Sequence, residues 1–224
     1  MTRWKRFTLL SILFASQSLY FPINRLMDGG TIFKTTLDQY IPLWAIWAVP
    51  YLLYLPFWMT AFIWAAFKME TRMFKRFFAS ALAATLIGIA IFLLFPTYIE
   101  RPLLVGEDWA TNLLRIVYSN DDVYNAFPSG HVYLTTLISI FWIEWYPRQR
   151  LLWLAIIASV LLSTLFTHQH YLPDLIGGLA LAKNSIHLGN WWVQKRSPLI
   201  QRQRNRFAAV GRILYDKSRA AKIN

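Results

Sequence analysis

Six apolar blocks run through this sequence, and each approaches the length that a helix needs to cross a lipid bilayer. A hydrocarbon core about 30 Å thick takes roughly 20 helical residues. The blocks cover residues 7–25, 44–67, 77–95, 132–146, 151–166 and 171–188. Of the 224 residues, 56% are hydrophobic and only 15% are charged, a balance outside the usual range of soluble domains. The sequence therefore predicts an all-α, integral membrane bundle of six helices.

The positions of the charged residues predict which side of the membrane each connection faces. Basic residues concentrate at the N-terminus, in residues 68–76, at Arg148 and Arg150, and in the C-terminal tail. Most acidic residues lie in the alternate connections, above all in residues 96–128. By the positive-inside rule, this alternation predicts cytoplasmic termini and an even number of spans. We therefore expect a multi-pass protein of the plasma (inner) membrane.

No repeat or linker divides the chain before its basic tail. We expect residues 1–194 to form one membrane domain and residues 195–224 to form a cytoplasmic tail. The tail has nine lysines and arginines against one acid, Asp216. Such a segment is attracted to anionic lipid headgroups at a membrane surface. Nucleic acid is not an expected partner, because no recognisable nucleic-acid module accompanies this charge.

Three of the four histidines lie where predicted helices meet the extracytoplasmic face. His131 precedes the fourth apolar block, and His168 and His170 lie between the fifth block and the sixth. One histidine at a membrane interface is an ordinary amphipathic residue, but three at the ends of consecutive spans indicate a site. The connection over residues 96–128 faces the same side, and connections of that length are usually functional.

Residues of phosphate-binding type lie at the same depth. Ser129 and Gly130 precede a predicted helix, whose free backbone N–H groups and positive dipole end favour an oxyanion. Arg101 follows the third block, and its planar guanidinium matches the oxygens of a phosphate group. The outer face is therefore predicted to bind phosphate.

His170 and Asp174 are four residues apart and share one face of a helix. The carboxylate can accept the proton of one imidazole nitrogen, which leaves the other nitrogen free to attack an electrophile. The pair therefore predicts a nucleophile and the group that orients it.

Two other kinds of protein fit parts of this pattern. A zinc site has enough candidate ligands in His131, His168, His170 and Asp174, although the chain has no cysteine. His168 and His170 diverge on a regular helix, which argues against that site. A transporter also needs several spans, but it predicts charged residues at mid-membrane, and the blocks before residue 180 have almost none. A purely structural protein would leave the histidines and Arg101 without a role.

At these residues the sequence resembles the type 2 phosphatidic acid phosphatase superfamily. The family's second motif, Pro-Ser-Gly-His, is intact at residues 128–131. The His-x-x-x-Asp core of the third motif stands at residues 170–174 and is followed by two glycines, at residues 177–178. The first motif is partial, because Arg101 is present but Leu94 occupies the position of the expected lysine.

The third motif departs from the phosphatase pattern at Thr164, where an arginine is expected. Residues 167–178 are closer to the inositol phosphorylceramide synthase branch. His168 lies one helical turn after Thr164 and is therefore expected to present a donor near the place of the missing arginine.

The resemblance implies a lipid-phosphate phosphatase that uses neither a metal nor a cofactor. It implies that His170, oriented by Asp174, attacks phosphorus, and that His131 protonates the leaving oxygen. The phosphate oxygens would be held by Arg101, Ser129, Gly130, His168 and Thr164. The implied partner is membrane lipid, as a phospholipid or polyprenyl phosphate substrate, and the oligomeric state is left open. The alternative is a phosphotransferase of the inositol phosphorylceramide synthase type, because its first half-reaction is the same.

Overall fold

The computed structural model describes residues 1–195, and every regular element in that range is a helix. The α-helices are α1 Arg3–Ser18, α2 Tyr20–Leu26, α3 Ala48–Lys68, α4 Thr71–Leu94, α5 Trp109–Asn120, α6 Gly130–Trp145, α7 Arg150–Phe166, and α8 over residues 172–195. Short 3₁₀ turns cover Leu37–Tyr40, Ala45–Trp47 and Pro147–Gln149. The predicted basic tail lies outside the described residues, except for Lys195.

The predicted all-α fold is confirmed, with two differences in its elements. The first apolar block forms two helices, α1 and α2, which meet at Leu19. The long connection over residues 96–128 contains a helix, α5, that the sequence analysis did not identify. The side chain of Asp108 caps α5 by accepting the N–H groups of Ala110 and Thr111, each at 3.0 Å.

Three helical stretches in the described part of the chain are long and apolar enough to cross a membrane: Ala45–Lys68, Thr71–Leu94 and Pro147–Phe166. Large apolar side chains on the first and third stretches are exposed, among them Leu53, Leu55, Leu151 and Leu152. Such surfaces suit contact with lipid tails. The features are those of a multi-pass membrane protein. α1 and α6 have 16 residues each, about 24 Å of helix, so the count of six spans stays a prediction.

Helix α6 occupies the centre of the bundle. Its residues 132–139 are all buried, and it packs against α3, α4 and α7. Aromatic rings fill the space between these helices: Phe77 of α4 lies 5.1 Å from Phe62 of α3 and 5.3 Å from Phe141 of α6, measured between ring centroids. Aromatic packing of this kind fixes the positions of the helices that hold the site.

The end of the bundle where α3 meets α4 is held together by arginines. Arg6 of α1 is buried and donates to the carbonyl oxygens of Ala66 at 3.2 Å and Met69 at 2.6 Å, at the end of α3. Arg76 of α4 forms a bidentate ion pair with Glu144 of α6, in which Nη1 lies 2.6 Å from Oε1 and Nη2 lies 2.9 Å from Oε2. His131, His168 and His170 lie at the opposite end, where α6 and α8 begin.

Three glycines of α8 allow it to approach its neighbours closely. An added Cβ at Gly177 would collide with the ring of Phe127, and one at Gly178 would lie 2.9 Å from the Cβ of Val132. At the other end of the helix, a Cβ at Gly189 would lie 2.7 Å from the amide nitrogen of Ser80. The glycines that follow the third motif therefore serve the contact between α8 and the turn that starts α6.

Gly189→Ala tests the contact between α4 and α8 away from the histidines. Alanine normally stabilises a helix relative to glycine by about 0.5–1 kcal/mol. Here we expect a loss of about 1–3 kcal/mol, because the new methyl group has no space. The measurement is the unfolding temperature in detergent, followed by tryptophan fluorescence. Asn184→Ala, at an exposed position of the same helix, should keep the wild-type temperature. An unchanged Gly189→Ala would mean that the two helices are farther apart.

Candidate active site

The turn before α6 is fixed by hydrogen bonds to α8 and to the outer loop. Ser129 is fully buried and caps α6, its hydroxyl oxygen accepting the N–H of Val132 at 3.4 Å. Its own N–H donates to the carbonyl of Asp174 at 3.0 Å. The peptide bond between Phe127 and Pro128 is cis, and the N–H of Phe127 donates to the hydroxyl of Thr97 at 2.8 Å. The first N–H groups of α6 have no acceptor within the helix and remain available to an anion.

A second turn, between α7 and α8, presents His170. The carbonyl of Thr164 accepts two backbone N–H groups, from Gln169 at 3.0 Å and from His170 at 3.2 Å. Asp174 reaches back to the start of α8, where its Oδ2 accepts the N–H of Tyr171 at 2.8 Å. This is half of a capping box, with the acid at the third helical position.

The two turns bring the paired histidines together. The ring centroids of His131 and His170 are 6.2 Å apart. Nδ1 of His170 lies 3.4 Å from Oδ2 of Asp174, and both side chains are buried. Asp174 therefore stands behind His170, so that the other ring nitrogen, Nε2, is the one left for chemistry.

Two aromatic side chains that were not predicted as site residues lie beside His131. The ring of Tyr51 lies 4.3 Å from the His131 ring, and that of Trp58 lies 5.3 Å away, between centroids. The hydroxyl of Tyr51 donates to Asp121 at 3.0 Å, and the hydroxyl of Tyr20 donates to the same carboxylate at 2.7 Å. Tyr51 thus joins an acid of the outer connection to the ring of His131. No sequence motif marks these residues.

Arg101 is held tightly at the same end of the bundle. Nη1 donates to the carbonyls of Tyr118 and Asp121 at 3.1 and 2.7 Å, and Nη2 donates to that of Asp122 at 3.2 Å. Nη2 also donates to Oε1 of Gln169 at 2.6 Å. The guanidinium lies over the ring of Tyr118, 4.5 Å from its centroid. Helix α5 therefore positions Arg101, although the sequence analysis did not predict that helix.

His168 and Thr164 make contacts that differ from those expected. Nε2 of His168 lies 3.1 Å from the carbonyl oxygen of Ile41, so the neutral ring carries its proton on that nitrogen. Burial lowers the pKa of His168, which favours this neutral form. The hydroxyl of Thr164 donates to carbonyls of its own helix, at 3.0 Å to Val160. Both residues therefore shape the turn that carries His170.

Asp38, in the connection between α2 and α3, was also missed by the sequence analysis. Its side chain is buried, and Oδ1 accepts the N–H of Leu172, the first residue of α8, at 2.8 Å. Oδ2 accepts the N–H and the hydroxyl of Thr35, each at 2.6 Å. Asp38 therefore fixes the start of the helix that carries Asp174.

The candidate zinc ligands do not converge. Within residues 1–195, no group of three or more histidine, aspartate or glutamate side chains is arranged to hold a metal ion. His168 faces the carbonyl of Ile41, whereas His170 faces His131.

Helical spans with two histidines, a buried carboxylate and an arginine at one end define a membrane protein with a polar site at that end of the bundle. A family model described as the PAP2 superfamily matches residues 26–188. That match covers more than half of the chain, so the chain belongs to this superfamily, that of the type 2 phosphatidic acid phosphatases. Searches of curated proteins and of solved structures found no match. Membership supports a lipid enzyme of the phosphatase or phosphotransferase type.

Asp38→Ala tests whether the connection after α2 positions the site. Removing the carboxylate takes the acceptor from the N–H of Leu172, and we expect a loss of about 1–3 kcal/mol in the free energy of unfolding. Thermal unfolding in detergent measures this change. The matched control is Asp28→Ala, an exposed acid of the same connection, which should leave stability unchanged. Equal stability of the two variants would contradict the role of Asp38.

Proposed function

We propose that this chain is a lipid-phosphate phosphatase that forms a phosphohistidine on His170 without a metal ion. The observation that carries the proposal is the pairing of His131 with His170 across 6.2 Å, with Asp174 behind His170. A nucleophile and an acid need to reach one phosphorus centre from two directions, and each approach spans about 3 Å. The separation of the rings suits one phosphoryl group.

In the first step, Nε2 of His170 attacks phosphorus and forms an N–P bond. The P–O bond to the lipid breaks, and protonated His131 gives its proton to the leaving oxygen. The carboxylate of Asp174, 3.4 Å from Nδ1 of His170, stabilises the positive charge that develops on the ring. In the second step, His131 takes a proton from water, whose oxygen attacks phosphorus and releases His170.

The remaining residues hold the phosphoryl group and the acid. The N–H groups at the start of α6, at Gly130 and His131, face developing negative charge on the oxygens. The hydroxyl of Ser129 is a further donor, and Arg101 supplies the positive charge. Tyr51, fixed by Asp121 at 3.0 Å, lies against His131 and restricts its ring. Thr164 and His168 act on the phosphate indirectly, through the turn that carries His170.

Transfer of a phospho-headgroup to an alcohol is the second candidate, and a specific observation favours it. The superfamily pattern expects three cations, but Leu94 and Thr164 occupy two of their positions, which leaves Arg101. A phosphate monoester carries a charge near −2 at neutral pH. A phosphodiester carries −1 and is matched by one arginine. Such a substrate would leave a headgroup phosphoester on His170, which an alcohol then removes, as in the inositol phosphorylceramide synthase branch.

We further propose that the site faces outward from the plasma (inner) membrane. The support is the separation of charge along the bundle, since the basic connection at residues 68–76 lies at the end opposite His131 and His170. By the positive-inside rule that end is cytoplasmic. The enzyme would then act on phospholipids or polyprenyl phosphates of the outer leaflet.

Trapping the covalent intermediate tests the nucleophile. Full-length protein incubated with ³²P-phosphatidate and quenched in base should retain label, because phosphohistidine survives base, and EDTA should not prevent this. His170→Ala should lose the label and at least about a thousandfold in turnover. His187→Ala, an exposed histidine farther along α8, is the control that should behave as wild type. Label on His170→Ala would place the nucleophile elsewhere, and activity that EDTA abolishes and zinc restores would require a metal mechanism.

Single cysteines test the sidedness, since the chain has none of its own. One variant is Glu107→Cys, at the end of the bundle that carries His131 and His170. The side chain of Glu107 is 89% exposed. Lys68→Cys lies at the other end, at the exposed end of α3. An impermeant thiol reagent applied to intact cells should label the first and spare the second. The opposite labelling would put the histidines on the cytoplasmic side.

A further inference from the structure

The side chain of Gln169 is buried but has donors without an acceptor. Only 3% of the residue is exposed. Its oxygen, Oε1, accepts the 2.6 Å hydrogen bond from Nη2 of Arg101. A guanidinium only donates, so this bond fixes which end of the amide is oxygen. The amide nitrogen, Nε2, consequently points elsewhere, and within residues 1–195 it has no hydrogen-bond partner.

Arg101 also has one buried donor without an acceptor. Its two Nη groups are occupied by the carbonyls of Tyr118, Asp121 and Asp122 and by Gln169. Nε is buried and, in the described part of the chain, has no acceptor. Arg101 is therefore anchored through its Nη groups and retains a single free N–H.

The free donors of the two residues are close enough to serve one ligand. Nε is about 2.3 Å from Nη2, and Nε2 is about 2.3 Å from Oε1, by the covalent geometry of the two groups. The 2.6 Å bond between Nη2 and Oε1 thus limits the separation of the free donors to about 7 Å. Two oxygens of one phosphoryl group, each about 2.9 Å from its donor, can span that distance.

Buried N–H groups are almost always paired, because removing them from water without a new acceptor is costly. Three such hydrogens lie beside a positive charge, two on Gln169 and one on Arg101. His170 is the next residue after Gln169, and the same turn, held by the carbonyl of Thr164, carries both the amide and the proposed nucleophile. An acceptor with negative charge fits this place better than a neutral one.

We propose that Gln169 binds a phosphoryl oxygen of the substrate, together with Nε of Arg101. Gln169 then supplies the donor that the superfamily takes from an arginine at the position of Thr164, a role that the sequence had suggested for His168. This assignment rests on the proposed function for the identity of the ligand. It makes one arginine and one amide the side-chain clamp on the phosphoryl group.

Gln169→Glu separates this role from a structural one. The carboxylate keeps the shape of the side chain and still accepts the bond from Arg101, but it has no N–H to donate and adds a negative charge. The experiment measures how inorganic phosphate, and separately dihexanoyl phosphatidate, raise the unfolding temperature of the full chain in detergent. Gln39→Glu, an exposed residue at the same end of the bundle, is the matched control.

We expect Gln169→Glu to need at least about tenfold more of either ligand for the same shift, whereas Gln39→Glu follows wild type. Because the readout is the shift caused by the ligand, a lower starting temperature of the variant does not obscure it. Wild-type shifts in Gln169→Glu would overturn the proposal, as would the absence of any shift in wild type. Loss of the phosphate shift alone, with the phosphatidate shift intact, would also overturn it.

The proposed function is tested separately in the same preparations. His170→Ala should keep both ligand shifts while losing turnover. Turnover by His170→Ala would refute the nucleophile and leave the result on Gln169 standing. Conversely, normal ligand shifts in Gln169→Glu would refute the clamp and leave the nucleophile standing.

Discussion

The contact between the start of α8 and the turn before α6 is the constraint on which the rest of the site depends. The N–H of Ser129 donates to the carbonyl of Asp174, and two glycines of α8 leave no side chain between the segments. His131 lies on one segment and His170 on the other, so this contact sets the distance between their rings. Because packed helices deform little, a methyl group at Gly177 or Gly178 would shift one ring relative to the other.

The outer connections supply the second layer of the site. Buried charges require partners, and here these come from sequence-distant loops. Asp121 uses its carbonyl to hold Arg101 and its carboxylate to hold Tyr51, so one residue links the cation to the ring beside His131. Tyr118 lies beneath Arg101 and donates its hydroxyl to the carbonyl of Thr167 at 2.7 Å, which ties α5 to the turn before α8. The hydrogen bonds that position Arg101 also make its side chain rigid. They occupy its Nη groups, which leaves fewer donors for a ligand.

There are physical reasons why some features were not predicted from the sequence. Helix α5 is short and amphipathic, and a search for long apolar blocks does not detect it. The capping residue Asp108 followed by apolar residues at helical spacing was a signal that could have revealed it. Asp38 was beyond reach, since 134 residues separate it from the N–H group of Leu172 that it binds. His168 was assigned from helical spacing, but the chain leaves the helix at Thr167, and His168 adopts a left-handed backbone with φ of 50°.

The sequence by itself determined the helical class, the apolar blocks and the motif residues, because periodic burial and local motifs depend on residues near one another in the chain. His131, His170 and Asp174 were identified in this way, and the structure brings all three together. Only the tertiary structure decided which groups fix them. Tyr51 beside His131, Asp38 at the start of α8 and Gln169 on Arg101 are contacts between residues far apart in sequence. Such contacts depend on how helices pack and on where each buried polar group finds a partner, and neither is encoded in local spacing.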